Sequence, residues 1–551
     1  MASRLLLSST RAAWSNTCNT ASRSSPALPL AKRLESTLSH KDRLPTLVQE
    51  YSKSSPGLCK VTTLPNGIRV ASENTPGHFS AVGVYVDAGS RYETLQTRGV
   101  SHIIDRLAFK STANKSADQV VAELESLGGN ITCSSSRESI MYQSAIFSQD
   151  LDRVMSLFSD VITRPNIEPI EVEEQRMTAQ YEIDEIWSKP EMILPEILHT
   201  VAYEGNTLGN PLLCPPENLT TMTPELIRSY MKDWYRPERM VIAVCGAEHD
   251  KVVELSLQHF GQVPKSEHPL DSVATHAQAV ARQQENAAKA EPKPSLVSSL
   301  FKRRSHQPSI EELATQPAHY TGGTNLLDVG SDAFLNHVHV AFEGLSINDP
   351  DIYALATLQI LLGGGGSFSA GGPGKGMYSR LFTNVLNQHY WVESCQAFNH
   401  CYTDSGLFGI AGSCTPEYTN ALIEVICREL DLVSRSDVMD HLAVNDTELN
   451  RAKNQLKSSL LMNLESRMVQ LEDLGRQVQV HGKKTGIDEM LAHIDRIDLD
   501  ELRRVAGRIV RGAVSVTSGG TGKATIVVQG NLRGVADVSK IMDKYGLGSG
   551  H

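Results

Sequence analysis

His102 stands in Gly99-Val-Ser-His102-Ile-Ile-Asp105-Arg106-Leu-Ala-Phe-Lys110, where the residues three and four places on share its face if the stretch is helical. Two imidazoles one turn apart, with a carboxylate between them and a third ligand from elsewhere, hold zinc and activate a water on it. This chain offers only part of that set. Asp105 occupies the general-base position with a carboxylate one methylene shorter than Glu, and Arg106 occupies the second imidazole position. A guanidinium stays protonated and has no lone pair for a metal, so it removes a ligand and adds repulsion. Catalytic zinc is therefore not expected here, and no catalytic residue is assigned. His337 and His339 share one face of a strand and could meet a metal, but no third ligand stands near them in sequence. There is no G-x-S-x-G elbow, and the nine scattered cysteines contain no C-x-x-C pair.

The second candidate is the run Gly363-Gly364-Gly365-Gly366-Ser367-Phe368-Ser369-Ala370-Gly371-Gly372-Pro373-Gly374-Lys375-Gly376, in which eight of fourteen residues are Gly. Fixing them costs about 4–8 kcal/mol more than fixing Ala, so the run is expected to be mobile until something binds it. It is not a phosphate loop, because Gly376 follows Lys375 where Ser or Thr should hold magnesium, and Ser369 stands at the first Gly position. A dinucleotide fingerprint fails too, since the preceding segment reads as helix rather than strand. A plain linker is the bland alternative. Against it, the run carries Phe368, Pro373 and Lys375 and joins two elements of one domain, where long structureless loops are commonly functional.

The elements that must position these residues occur twice. Val61 to Val70 reads as a hairpin about Asn66-Gly67, Ser80 to Asp87 as a strand, and Gly99 to Phe109 as a helix. A second helix follows Ser116, with Gln119 completing a capping box and Gly128-Gly129 ending it. Asn130 to Ser136 and Ile140 to Phe147 form a strand pair, helices dominate from Leu151 to Asp233, and Met240 to Gly246 is a buried strand. Residues 265–318 are polar, Ala-rich and Pro-bearing and read as a linker or insertion. Beyond it Val338 to Ser346, the pair Trp391 to Cys401 with Gly406 to Cys414, and Ala524 to Gly530 repeat the earlier landmarks in order. The chain reads as two copies of one α/β unit, 58–264 and 319–545. The glycine run, between a helix Ile352 to Leu362 and a helix from Met377, is an enlarged version of the turn at Lys110 to Lys115.

With 551 residues, 40% hydrophobic and 21% charged, the chain is of ordinary globular composition, and no apolar run approaches a membrane span. Its net charge of −11 argues against nucleic-acid binding and is compatible with cationic ligands. Residues 1 to 34 depart from this: Arg4, Arg11, Arg23, Lys32 and Arg33 occur with no acid, the composition of a mitochondrial transit peptide. Residues 1–38 are expected to be that segment, cleaved between Arg33 and Lys41.

The run GGGGSFSAGGPGKGMYSRL resembles the glycine-rich loop of mitochondrial processing peptidase alpha subunits, a branch of the pitrilysin-like metallopeptidases whose active members carry the inverted zinc motif H-x-x-E-H. The likeness extends from about Leu58 onward and includes Asn463 to Arg467 and Asp473 to Gln477, while the 265–318 insertion has no counterpart. It implies an α/β fold of two homologous domains, each a mostly antiparallel sheet with packed helices, and a degenerate zinc site of His102, Asp105, Arg106 and Glu182, the last at the separation from Arg106 familiar in active members. It implies a non-catalytic subunit with no cofactor of its own, paired with a catalytic beta subunit that carries the zinc. Presequences of imported precursors would be bound by Gly363, Gly364, Gly365, Gly366, Ser367, Phe368, Gly371, Gly372, Gly374, Lys375 and Gly376. The place implied is the mitochondrial matrix, with a peripheral position at the inner membrane left open. Two alternatives stand beside this reading: a structural core subunit of respiratory complex III, and an independently active zinc peptidase, which Arg106 disfavours.

Overall fold

A computed structural model describes residues 59–288, 308–366, 377–435 and 442–548. The expected targeting segment and the glycine run from Ser367 to Gly376 lie outside the described residues.

Two six-stranded sheets carry the fold. In the first, β1 (Lys60–Thr63), β2 (Arg69–Glu73), β3 (Phe79–Val86), β4 (Asn130–Ser135), β5 (Ile140–Phe147) and β6 (Met240–Cys245) lie in the order β1-β2-β6-β3-β5-β4. In the second, β7 (Gly323–Asp328), β8 (Asn336–Glu343), β9 (Gly364–Gly366), β10 (Val392–Cys401), β11 (Gly406–Cys414) and β12 (Thr525–Gly530) lie in the order β7-β12-β8-β11-β10-β9. Five strands superimpose in order, β2-β6-β3-β5-β4 on β7-β12-β8-β11-β10, and each sheet has one parallel pair, β2 with β6 and β7 with β12. The sixth strand breaks the symmetry: the first sheet adds β1 by its hairpin at one edge, and the second adds the start of the glycine run at the other.

Side chains alternate along the central strands as a sheet buried on both faces requires. Val82, Val84, Val86, Met240, Ile242 and Val244 point to one face and pack against helices of the same half, including Leu151–Thr163 and His249–Phe260. Alternating with them, Ala81, Tyr85, Val241, Ala243 and Cys245 face the other way. A helix from the second half, Arg467–His481, lies on that face through Leu471, Leu474 and Val478. The exchange is reciprocal, since the first-half helix Pro190–Ala202 covers the second sheet, packing Leu194, Leu198 and Ala202 with Ala341, Leu407 and Val527. The halves are thus held by each other's helices. Gly475 permits the closest approach: a Cβ there would lie 2.1 Å from Tyr85 Cε2. The tyrosine cannot easily yield, because its hydroxyl donates to Leu471 O at 3.0 Å and accepts from Gln143 at 2.8 Å. Gly475→Ala is expected to cost about 2–3 kcal/mol through overpacking, measured as a lower urea midpoint; an unchanged midpoint would mean the helix is free to move off the sheet.

Three expectations need correction. Part of the 265–318 stretch is a helix, Ser272–Ala288, with Ser272, Thr275, His276 and Ala279 buried, and a short helix, Ile310–Ala314, follows with its own capping box. Its polar composition hid it, although Ala is the strongest helix former. The helix expected from Met377 is instead a short π-helix, Leu381–Leu386, whose buried residues pair as Leu381 with Phe382 and Val385 with Leu386. Last, the glycine run is not loose from its start. Gly363 N–H closes the preceding helix on Gln359 O, Gly364 N–H donates to Ser379 Oγ at 3.0 Å, and β9 pairs Gly364–Gly366 antiparallel to Gln396, Cys395 and Ser394. Gly364 has φ +99°, and a Cβ there would meet Cys395 O at 2.0 Å, so only glycine fits.

Candidate functional site

The helix Val100–Leu107 starts where a loop folds back to meet it. Gly99, with φ +87°, lies against Cys214, whose Cα would be 2.4 Å from an added Cβ. The first helical N–H groups are met by Glu93 from upstream: Oε2 accepts from Gly99 N–H at 2.8 Å, and Oε1 accepts from Ser101 N–H at 2.9 Å and from the Ser101 hydroxyl. Burial pushes the Glu93 carboxyl up to about 7, against the pull of these donors and of Arg98. The folded state holds that proton more tightly than the unfolded chain, where Glu titrates near ~4.3. Glu93's contribution is therefore complete below that value and is lost as pH rises through about 7. Glu93→Gln is expected to flatten the fall in stability across this window, a difference on the order of 2–3 kcal/mol between its ends. Urea midpoints at several pH values measure it, and parallel curves for both proteins would refute it.

One turn into this helix the four expected residues meet. His102 is buried, its Nδ1 accepting the Cys214 backbone N–H at 3.2 Å. The ring proton therefore sits on Nε2, which donates to Glu182 Oε2 at 3.3 Å. Arg106 places one terminal nitrogen 3.2 Å from Glu182 Oε1 and the other 3.6 Å from Asp105 Oδ2. Asp105 is turned to the sheet, its Oδ2 accepting from Ser135 N–H at 2.9 Å and from Ser135 Oγ–H at 3.1 Å. Glu182, on the helix Pro169–Trp187, is thus held below the usual carboxylate range, first by the His102 hydrogen bond and then, against partial burial, by the Arg106 charge.

This arrangement does not fit zinc. Arg106 puts a permanent cation on the carboxylate that would be a ligand, and His102 carries its proton on the nitrogen facing the site, so neither offers a lone pair. Asp105 is committed to β4 rather than to a water. Among the described residues no group of three or more His, Cys, Asp or Glu side chains could hold a metal ion. His339 does not rescue the idea: it is buried beside Phe398, and burial pushes it down to about 3, the mark of a neutral core imidazole.

Of the expected ligand-binding residues, Gly363 to Gly366 are placed at the sheet edge as described, whereas Ser367, Phe368, Gly371, Gly372, Gly374, Lys375 and Gly376 lie outside the described residues. Sequence reasoning missed Glu93 and the Cys214 N–H, which act on the helix from positions without a motif. It also missed Arg91, whose guanidinium joins the halves through Glu138 at 2.8 Å and Asp404 at 2.5 Å.

A doubled sheet-and-helix unit with an inverted-motif helix defines a chain of the insulinase type, and comparison with known proteins agrees. Residues 69–216 match the family model described as insulinase (peptidase family M16), and residues 221–456 match the one described as the peptidase M16 inactive domain. The mitochondrial-processing peptidase subunit alpha of Neurospora crassa is 50% identical over 85% of this chain and 86% of its own length. The probable alpha subunit of Schizosaccharomyces pombe is 42% identical over 94% and 95%, and the human alpha subunit 37% identical over 83% and 81%. A chain of complex III2 from Candida albicans, solved with Inz-5 bound, shares the fold at a TM-score of 0.66 and 17% identity, covering 88% of this chain and 99% of that one. The chain belongs to the family of mitochondrial-processing peptidase alpha subunits. No helix among the described residues is long and apolar enough to cross a membrane.

Proposed function

We propose that this chain is the substrate-recognition, non-catalytic subunit of a heterodimeric processing peptidase of the mitochondrial matrix. It binds the basic N-terminal presequences of imported precursors and presents them to a beta subunit that carries the zinc. The observation that carries the reading is the way the glycine run is rooted. Gly364–Gly366 form the edge strand of the second sheet, and the positions where Cβ atoms of Gly365 and Gly366 would stand are open space. An edge strand without side chains can accept an extended peptide of almost any sequence, because the main chain supplies the hydrogen bonds. Ordering a glycine run on each substrate lowers affinity while tolerating variety, which suits presequences that share charge rather than sequence. The Arg106–Glu182 pair supports the other half of the reading, that hydrolysis belongs to the partner.

The test is crosslinking within the assembled heterodimer. A presequence peptide carrying a photoreactive residue near its arginines is expected to label this chain within residues 363–376. Labelling confined to the beta subunit would overturn the proposal.

A further inference from the structure

Where β9 ends, β10 is irregular. Val392 faces Cys414 and Ser394 faces Ser413, so Glu393 is an extra residue in a β-bulge. Bulges bend a strand and re-aim a side chain. Glu393 is exposed, forms no ion pair with any described residue, and directly precedes Ser394, the partner of Gly366. Two aromatic residues, Tyr390 and Trp391, come just before it in the chain, and both meet Tyr418. Trp391 and Tyr418 stack at 5.1 Å with planes 8° apart, and Tyr390 meets Tyr418 edge-on at 6.3 Å. The Tyr390 and Tyr418 hydroxyls are 3.2 Å apart, yet Tyr390 is 89% exposed. Glu417, beside Tyr418, is exposed as well. Arg428, on the helix that Tyr418 precedes, is set against Glu429 at 3.9 Å.

A ring ordered by its neighbours and left in water can receive a partner, and the chemistry here names one. A guanidinium is flat, weakly hydrated and forked, so it lies on aromatic faces while its N–H groups reach a carboxylate. An ammonium gains less from the same stack. Resting on the proposed function, we infer that Glu393, with the rings of Tyr390, Trp391 and Tyr418, forms a subsite for an arginine side chain of the bound presequence. The occupant is an arginine-bearing, acid-free segment of the kind this chain itself carries in residues 1–34. The glycine edge holds the backbone of the segment and the bulge reads its charge.

The probe is a fluorescent peptide of residues 1–34, titrated into the assembled heterodimer with the partner's metal chelated so that the peptide stays intact. Glu393→Gln, an isosteric change at an exposed site, and the pair Tyr390→Ala/Tyr418→Ala are each expected to raise Kd roughly 5- to 20-fold. With every peptide arginine changed to Lys, the intact complex should bind more weakly and lose less to the tyrosine changes. With every arginine changed to Gln, Glu393→Gln should have no effect. A Kd within twofold of the unaltered complex, or an equal loss with the Gln peptide, would overturn the subsite. Failure of the altered chains to assemble on gel filtration would overturn it too, by assigning the patch to subunit contact. A complex lacking residues 367–376 separates the two ideas. If that deletion weakens binding and Glu393→Gln does not, the subsite falls and the proposed function stands; if neither weakens it, both fall.

Discussion

Deleting Ser367 to Gly376, with Gly363 to Gly366 kept, is expected to leave a folded chain that still joins its beta subunit while presequence cleavage by the pair falls a hundredfold or more, on the order of 3 kcal/mol in binding and positioning. The four retained glycines close the helix Ile352–Leu362 on Gln359 and fill the edge of the second sheet, so the cut keeps those contacts. A few Gly and Ser residues put in place of the cut segment join Gly366 to Met377 at little cost, because loop-closure entropy changes slowly with length. A linker would therefore survive the deletion unnoticed, and a substrate-holding element would not. Reconstituted pairs assayed for turnover, with gel filtration as the assembly control, decide between them. Wild-type turnover by the deleted complex would reduce the run to a connector.

Replacing Arg91 is expected to have the largest effect on stability, about 3–5 kcal/mol, because it strands two buried carboxylates. Arg91 sits between Glu138 of the first half and Asp404 of the second, donates also to Gln316 O, and is itself buried. Asp404 further accepts the Ala318 N–H at 2.8 Å, which ties the end of the inter-half segment to the same point. Burial pushes the Asp404 carboxyl up, and the Arg91 charge more than offsets this, leaving it below its ordinary value. Arg91→Met should therefore lower the urea midpoint strongly, and Arg91→Met combined with Glu138→Gln and Asp404→Asn should recover much of the loss, since buried ion pairs are costly to break yet replaceable as a set. A loss below about 1 kcal/mol for the single change would mean that water reaches the site.

Local signals in the chain were legible because local physics produces them. Ser116 and Gln119 form both bonds of the capping box, and Gly128 takes the left-handed conformation that ends the helix. The strand landmarks of both halves fall in the same sheet order. What stayed hidden depends on residues far apart in sequence. Met240 to Gly246 reads as a buried strand, but nothing in it says that one of its faces is covered by Arg467–His481 of the other half. At the candidate site, the substitution Arg106 was readable as chemistry, whereas the protonated Nε2 of His102 follows only from the Cys214 N–H, 112 residues away. In sequence the glycine run is a uniform loop; its first residues join the sheet because a chain without Cβ atoms can approach Cys395 closely enough to pair.

The most direct measurement takes the chain by itself, without the beta subunit, and asks three things of one sample: whether a presequence peptide binds, whether it remains intact, and how much zinc the protein holds after purification in zinc-containing buffer. Saturable binding of an intact peptide by protein with only trace zinc is the expected result, since Arg106 holds the metal position and the glycine edge belongs to this chain. Stoichiometric zinc together with cleavage of the peptide would contradict it.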